Sequence, residues 1–167
     1  MSTQPAFDFH WLSPLGISVA LFLFYGAFYI FIGALTPVMM NTEVGRQVTI
    51  SSVENDNALL GGQTSDLLQA SPPLAKMRTM LLNIVGGLLV AAGVLVIAVT
   101  WFGLRQGQMW ALVTLALAGV VVLPFWWLVF RPFAEAGITV GLALPPFILI
   151  PGLLLIPAAV LGWIGLR

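Results

Sequence analysis

The chain contains no cysteine. That excludes disulfides, thiolate metal sites, iron–sulfur clusters, c-type haem attachment and cysteine nucleophiles, and it leaves the redox compartment undecided. There is one histidine, His10, so no site that needs two histidines from one chain can form, a bis-histidine haem included. Charge is scarce. Six basic and six acidic side chains make up 7% of 167 residues, where a soluble domain carries about 25%. The two signs cancel, which removes the basic footprint that nucleic-acid binding requires. No Lys or Arg precedes the first apolar run. The basic start of a secretory signal peptide is therefore missing, and the run reads as an uncleaved first span.

What is present is apolar: 60% of the residues are hydrophobic. The extreme case is residues 138–166, uncharged throughout and interrupted by Pro145, Pro146, Pro151 and Pro157. A run of this length suits a bilayer rather than a soluble core. Each internal proline lacks an N–H and crowds the carbonyl four residues back. In lipid such a helix persists when neighbouring helices satisfy the freed groups. The pattern predicts an all-α membrane protein, one domain over 1–167, with four transmembrane helices in a bundle. The spans are placed at about 12–35, 79–103, 109–130 and 138–166, with the last helix proline-kinked and one long polar loop, 36–78, between helices one and two.

Local signals fill in this outline. Gly26 and Gly33 share one helical face, and Gly86, Gly87, Ala91 and Gly93 give the second span a close-packing surface. Thr36-Pro37 reads as a helix stop, Val48–Val53 as a short strand, Asn55-Asp56-Asn57 and Gly61-Gly62 as turns, and 65–69 as a helical turn. Ser71 and Pro72 read as the start of the second helix, outside the bilayer, with Lys76 and Arg78 at the surface. Residues 105–108 form a tight turn. Arg131 and Glu135 are spaced to pair on a helix, and Gly137 and Gly141 have the spacing of a helix-dimer motif. Arg46, Lys76, Arg78 and Arg131 fall on the long-loop side, against Arg105 and Arg167 on the other. The positive-inside rule then puts the long loop in the cytoplasm.

No ionisable residue lies in the middle of a predicted span. This argues against a pump, an ion-coupled transporter or a voltage sensor, and it leaves a buried reaction without a general acid or base. Uncharged polar groups remain. Tyr29, Asn83, Trp126 and Trp127, with the carbonyls of Gly141 and Leu142 that Pro145 and Pro146 would free, are predicted at one depth. That depth is roughly 5–10 Å below the long-loop surface. Together they would line a pocket for the polar head of a quinone, a lipid or a pigment tail, with Arg78 and Arg131 at its mouth. The alternative is an ordinary aromatic belt plus hydrogen bonds that repair the proline kinks. His10, beside Trp11, reads as an interface residue; its other use would be as an axial metal ligand.

From Lys76 to Leu112 the chain resembles small four-helix membrane proteins of the DoxX-like kind. The resemblance rests on Arg78 entering a glycine-rich helix (Gly86, Gly87, Gly93), then Trp101-Phe102-Gly103-Leu104-Arg105 and Gly107 before Trp110. It implies the four-helix architecture and carries over no site residue. The long first loop and the proline-rich last helix depart from that pattern. The function that follows is a non-catalytic accessory or scaffold subunit of a larger membrane complex, bioenergetic or photosynthetic, in the cell membrane. Its partners would be membrane lipids and other transmembrane subunits, with no cofactor of its own beyond lipid, quinone or pigment shared with them. Two alternatives stand beside it. One is a stand-alone binder or carrier of a hydrophobic small molecule such as a quinone or lipid. The other is an enzyme using the loop acids Glu43, Glu54, Asp56 and Asp66.

Overall fold

The structure, a computed structural model, describes residues 9–141 and 144–167. The elements run α1 (Pro14–Met39), α2 (Glu43–Gln47), α3 (Val53–Leu60), α4 (Thr64–Ala70), α5 (Pro72–Phe102), a 3-10 turn (Leu104–Gln106), α6 (Met109–Val121), α7 (Leu123–Glu135) and α8 (Pro146–Gly165). No strand occurs among the described residues. Four helical stretches are long and apolar enough to cross a membrane: Pro14–Met39, Pro72–Gln106, Met109–Glu135 and Pro146–Gly165. The chain is a multi-pass membrane protein.

Helix α1 begins with Ser13 as N-cap, its hydroxyl accepting from the Gly16 amide at 3.1 Å, and Pro14 at the first position. It runs through Thr36-Pro37, which the sequence marked as a stop. Pro37 removes the hydrogen bond to the carbonyl of Gly33. That carbonyl instead lies against Gly86 of α5, where an added Cβ would come within 2.9 Å of it. The close approach repeats two turns away: a Cβ on Gly93 would meet the Gly26 carbonyl at 2.5 Å. Glycine at these four positions lets the α1 and α5 backbones touch. Between helices in lipid, dispersion gained this way replaces the water-driven term of a soluble core.

On its other flank α1 meets α8. The buried Ser18 hydroxyl donates to the Ala158 carbonyl at 2.7 Å, and Gly162 lies against Ser18 and Leu112. The most buried apolar cluster is Leu15, Val19 and Phe22 of α1, Leu104 of the 3-10 turn, Ala111, Leu112 and Leu115 of α6, and Ala158 of α8. It sits toward the end of the molecule that carries the 103–108 turn.

The third and fourth spans differ from the sequence reading. The third span is two helices meeting at Val122, because Pro124 has no N–H for the Val120 carbonyl. It extends to Glu135 rather than 130. The fourth helix starts at Pro146, not 138. Consecutive prolines suit a helix start, where the missing N–H groups would be unpaired anyway. Pro145 and Pro146 therefore free no helical carbonyl; the prolines inside the helix are Pro151 and Pro157. Gly137 and Gly141 have φ of +73° and +46°, so neither belongs to a helix-dimer motif. The Arg131–Glu135 pair forms at 2.7 Å with both side chains 61% exposed, a geometry worth little to stability.

Candidate functional site

The segment between α1 and α5 is built from three short helices with the chain folded back over the membrane-spanning part. Thr42 caps α2, its hydroxyl accepting from the Gly45 amide at 3.0 Å while donating to the Met39 carbonyl at 2.7 Å. Position 45 must be glycine, since a Cβ there would lie 1.8 Å from the Met39 carbonyl oxygen. Ser52 caps α3 by accepting from the Asn55 amide at 3.2 Å. The Asn57 side-chain oxygen accepts from both the Thr64 amide, at 2.8 Å, and the Thr64 hydroxyl, at 3.0 Å, joining α3 to α4.

These caps explain two departures from the sequence reading. Asn55-Asp56-Asn57 is not a turn but the body of α3. The Val48–Val53 stretch is not a strand, because its amides are committed elsewhere. Asp56, only 2% exposed, accepts from the backbone amides of Thr49 at 2.6 Å, Ile50 at 2.9 Å and Ser51 at 3.1 Å. A carboxylate that receives three amide donors fixes a tight loop and leaves no ladder for a partner strand.

Arg78 completes the arrangement. The sequence placed it at the surface, at the mouth of a pocket; the structure buries it, with 8% exposed. One terminal nitrogen, Nη2, donates to the carbonyls of Gly45, at 2.5 Å, and Val48. Asp56 adds electrostatic attraction on the guanidinium. Asp56 thus holds the amides of 49–51, and Arg78 holds the carbonyls of 45 and 48. The segment 45–51 is pinned by one anion, from α3, and one cation, from the first turns of α5.

Beneath this pinned segment lies an apolar cavity of about 250 Å³. Its walls are Ile32, Thr36 and Met39 of α1, Leu82, Val85 and Leu89 of α5, and Pro145, Pro146 and Phe147 at the start of α8; residues Val48–Ser51 form its roof. The late start of α8 leaves this space open. At 1.5 Å per residue, α8 spans roughly 30 Å and α5 roughly 46 Å, so the shorter helix leaves the space under the roof unfilled. No titratable side chain is among the lining residues. On the other side of α2 is a wider, more polar groove of about 720 Å³, with Arg46, Lys76, Arg78 and Glu43 on its walls.

Of the seven described residues expected to form a pocket, none lines this cavity and only Arg78 lines the groove. Tyr29 is satisfied within α1, accepting from the Tyr25 hydroxyl at 3.3 Å. Asn83 and Gly141 are exposed, as is Trp127, at 66%. Trp126 stacks on Phe130 and packs against Phe147, with centroids 5.9 Å apart in the latter pair, so it comes to the edge of the cavity without lining it. Arg131 is turned to Glu135. Leu142 lies outside the described residues. His10 is exposed, and its carbonyl accepts from Ser13 ahead of α1; among the described residues no three His, Asp or Glu side chains cluster as a metal site would need. The sequence offers Asp56 only as one of four loop acids, and spacing does not give its role as the anchor of segment 49–51. The signal for it was the Ser52 cap, which places Asp56 on the first turn of a helix, directed at the loop before it. No family model matches the chain, and neither a curated protein nor a solved structure matches it.

Proposed function

We propose that this chain is a non-catalytic protein of the cell membrane that holds the hydrocarbon tail of a lipid or quinone in the cavity between α1, α5 and the start of α8. The observation that carries this reading is the cavity itself: apolar walls, a roof fixed by Asp56 and Arg78, and no titratable group on its lining. A volume of about 250 Å³ is below the roughly 300 Å³ at which pockets begin to take a whole drug-sized ligand, so the occupant is one chain or a chain segment. The four helices act as one bundle, as in the DoxX-like proteins that Lys76–Leu112 resembles, with the α2–α4 segment on the cytoplasmic side because that face carries Arg46, Lys76, Arg78 and Arg131 against Arg105 and Arg167 on the other.

The test is purification of the full chain in mild detergent, followed by extraction and mass spectrometry of what remains bound. The parent protein retains a tail-bearing amphiphile in a fixed ratio, and Leu82→Trp, which fills the cavity from α5, loses it. Equal retention by both proteins, or none by the parent, overturns the reading.

A second reading, an accessory subunit of a larger membrane complex, is favoured by α7. Phe125, Trp127 and Leu128 on that helix are each more than 60% exposed. Large aromatics on one short helix suit a protein neighbour as well as lipid. Co-migration with other transmembrane subunits in the same purification supports it.

A further inference from the structure

We propose that the groove on the outer side of α2 is a binding site for the phosphate of an anionic lipid headgroup. It is lined by Arg46 of α2, Lys76 and Arg78 of α5, and the single acid Glu43, a balance of three cations to one anion. Arg46 and Lys76 are exposed and free to reorient toward a ligand. Arg78 is buried, and its hydrogen bonds go to neutral carbonyls. Its Nε is buried with no hydrogen-bond partner. Asp56, the carboxylate that acts electrostatically on Arg78, is engaged with three amides and makes no hydrogen bond to the guanidinium among the described residues. Positive charge therefore remains at the floor of the groove.

The location selects a lipid. Lys76, Thr79 and Met80 line the groove on the turns where α5 passes from the polar segment into its apolar run, and Met80 is 58% exposed. A headgroup in this position keeps its glycerol and chains beside the apolar turns of α5. Basic clusters next to a transmembrane helix attract anionic lipids through this geometry. The groove and the tail cavity share only Met40 among their lining residues, and Arg46 and Lys76 belong to the groove alone, so changes at those two positions test the groove without touching the cavity.

The experiment is native mass spectrometry of the purified full chain in detergent, titrated in parallel with phosphatidylglycerol, phosphatidylcholine and inorganic phosphate. Phosphatidylglycerol adducts exceed phosphatidylcholine adducts by on the order of tenfold for two surface cations acting together. The double variant Arg46→Gln/Lys76→Gln brings the two lipids level, Lys76→Arg keeps the preference, and Glu43→Gln strengthens it. Both cations are exposed, so these changes leave the helices intact, which an unchanged melting temperature verifies. Equal binding of the two lipids by the parent, or a preference that survives the double variant, overturns the proposal. Displacement of the lipid by an equal concentration of inorganic phosphate overturns the lipid assignment in favour of a soluble anion.

Discussion

Replacing Asp56 by alanine tests the pinned roof most directly. The substitution strands the amides of Thr49, Ile50 and Ser51, which the carboxylate now receives at 2.6–3.1 Å, and it leaves Arg78 without its opposing charge. Three hydrogen bonds to a charged acceptor are worth roughly 4–9 kcal/mol in gross terms. Water recovers part of this, since Ile50 is exposed and Thr49 and Ser51 are half-buried. A net local loss of about 3–5 kcal/mol remains, the range for breaking a buried charge arrangement from one side. The loss concerns the segment 45–51 rather than the membrane-spanning helices, so the right measurement is amide hydrogen exchange in detergent. Exchange at the three amides should rise on the order of 10²- to 10⁴-fold, while the buried turns of α1 around Val19 and Phe22 keep their protection. Asp56→Asn, which retains an acceptor oxygen and loses the charge, should fall between. Binding in the tail cavity should weaken with the roof. If the three amides exchange within about threefold of the parent rate in Asp56→Ala, something other than this carboxylate holds the roof.

Two further outcomes test the helix contacts. Gly33→Ala should lower the unfolding free energy in detergent by about 1–3 kcal/mol, the cost of overpacking, because its Cβ would lie 2.4 Å from the Gly86 carbonyl; Gly87→Ala, which meets open space, should be neutral or slightly stabilising. Ser18→Ala, which removes the bond to Ala158, should cost about 0.6–1.7 kcal/mol by the same measurement, the range for an interhelical hydrogen bond in a membrane.

Much of the helical framework is visible from composition alone, because a bilayer demands long apolar runs and forbids open backbone. The close face of α1 is visible too: Gly26 and Gly33 lie seven apart, and both meet glycines of α5. Proline is where the reading of the sequence and the structure part. Thr36-Pro37 reads as a stop, yet the helix passes it, and the freed Gly33 carbonyl lies against a glycine. Pro145 and Pro146 read as kinks, yet they cap and start α8. The residue type is the same in both cases, and the difference lies in what a neighbouring helix offers, which no local pattern records. The site was less visible still. The expected layer assumed that residues at one depth face one another, but depth does not fix azimuth: Tyr29 turns to Tyr25 and Arg131 to Glu135, each on its own helix. Asp56 and Arg78 are separated by a short helix and part of α5, so their joint hold on segment 45–51 depends on a fold-back that spacing does not encode.

The paired glycines have a consequence for how the molecule comes into being. Gly26 with Gly93 and Gly33 with Gly86 define an antiparallel register, and a slip by one turn would push a side chain into a backbone. Both pairs, Asp56 and Arg78 all lie before Phe102. The chain up to Phe102 thus carries its own alignment and its own roof before α6–α8 are synthesised. The cavity under the roof is walled on one side by Pro145, Pro146 and Phe147, so it takes shape only once the start of α8 is in place.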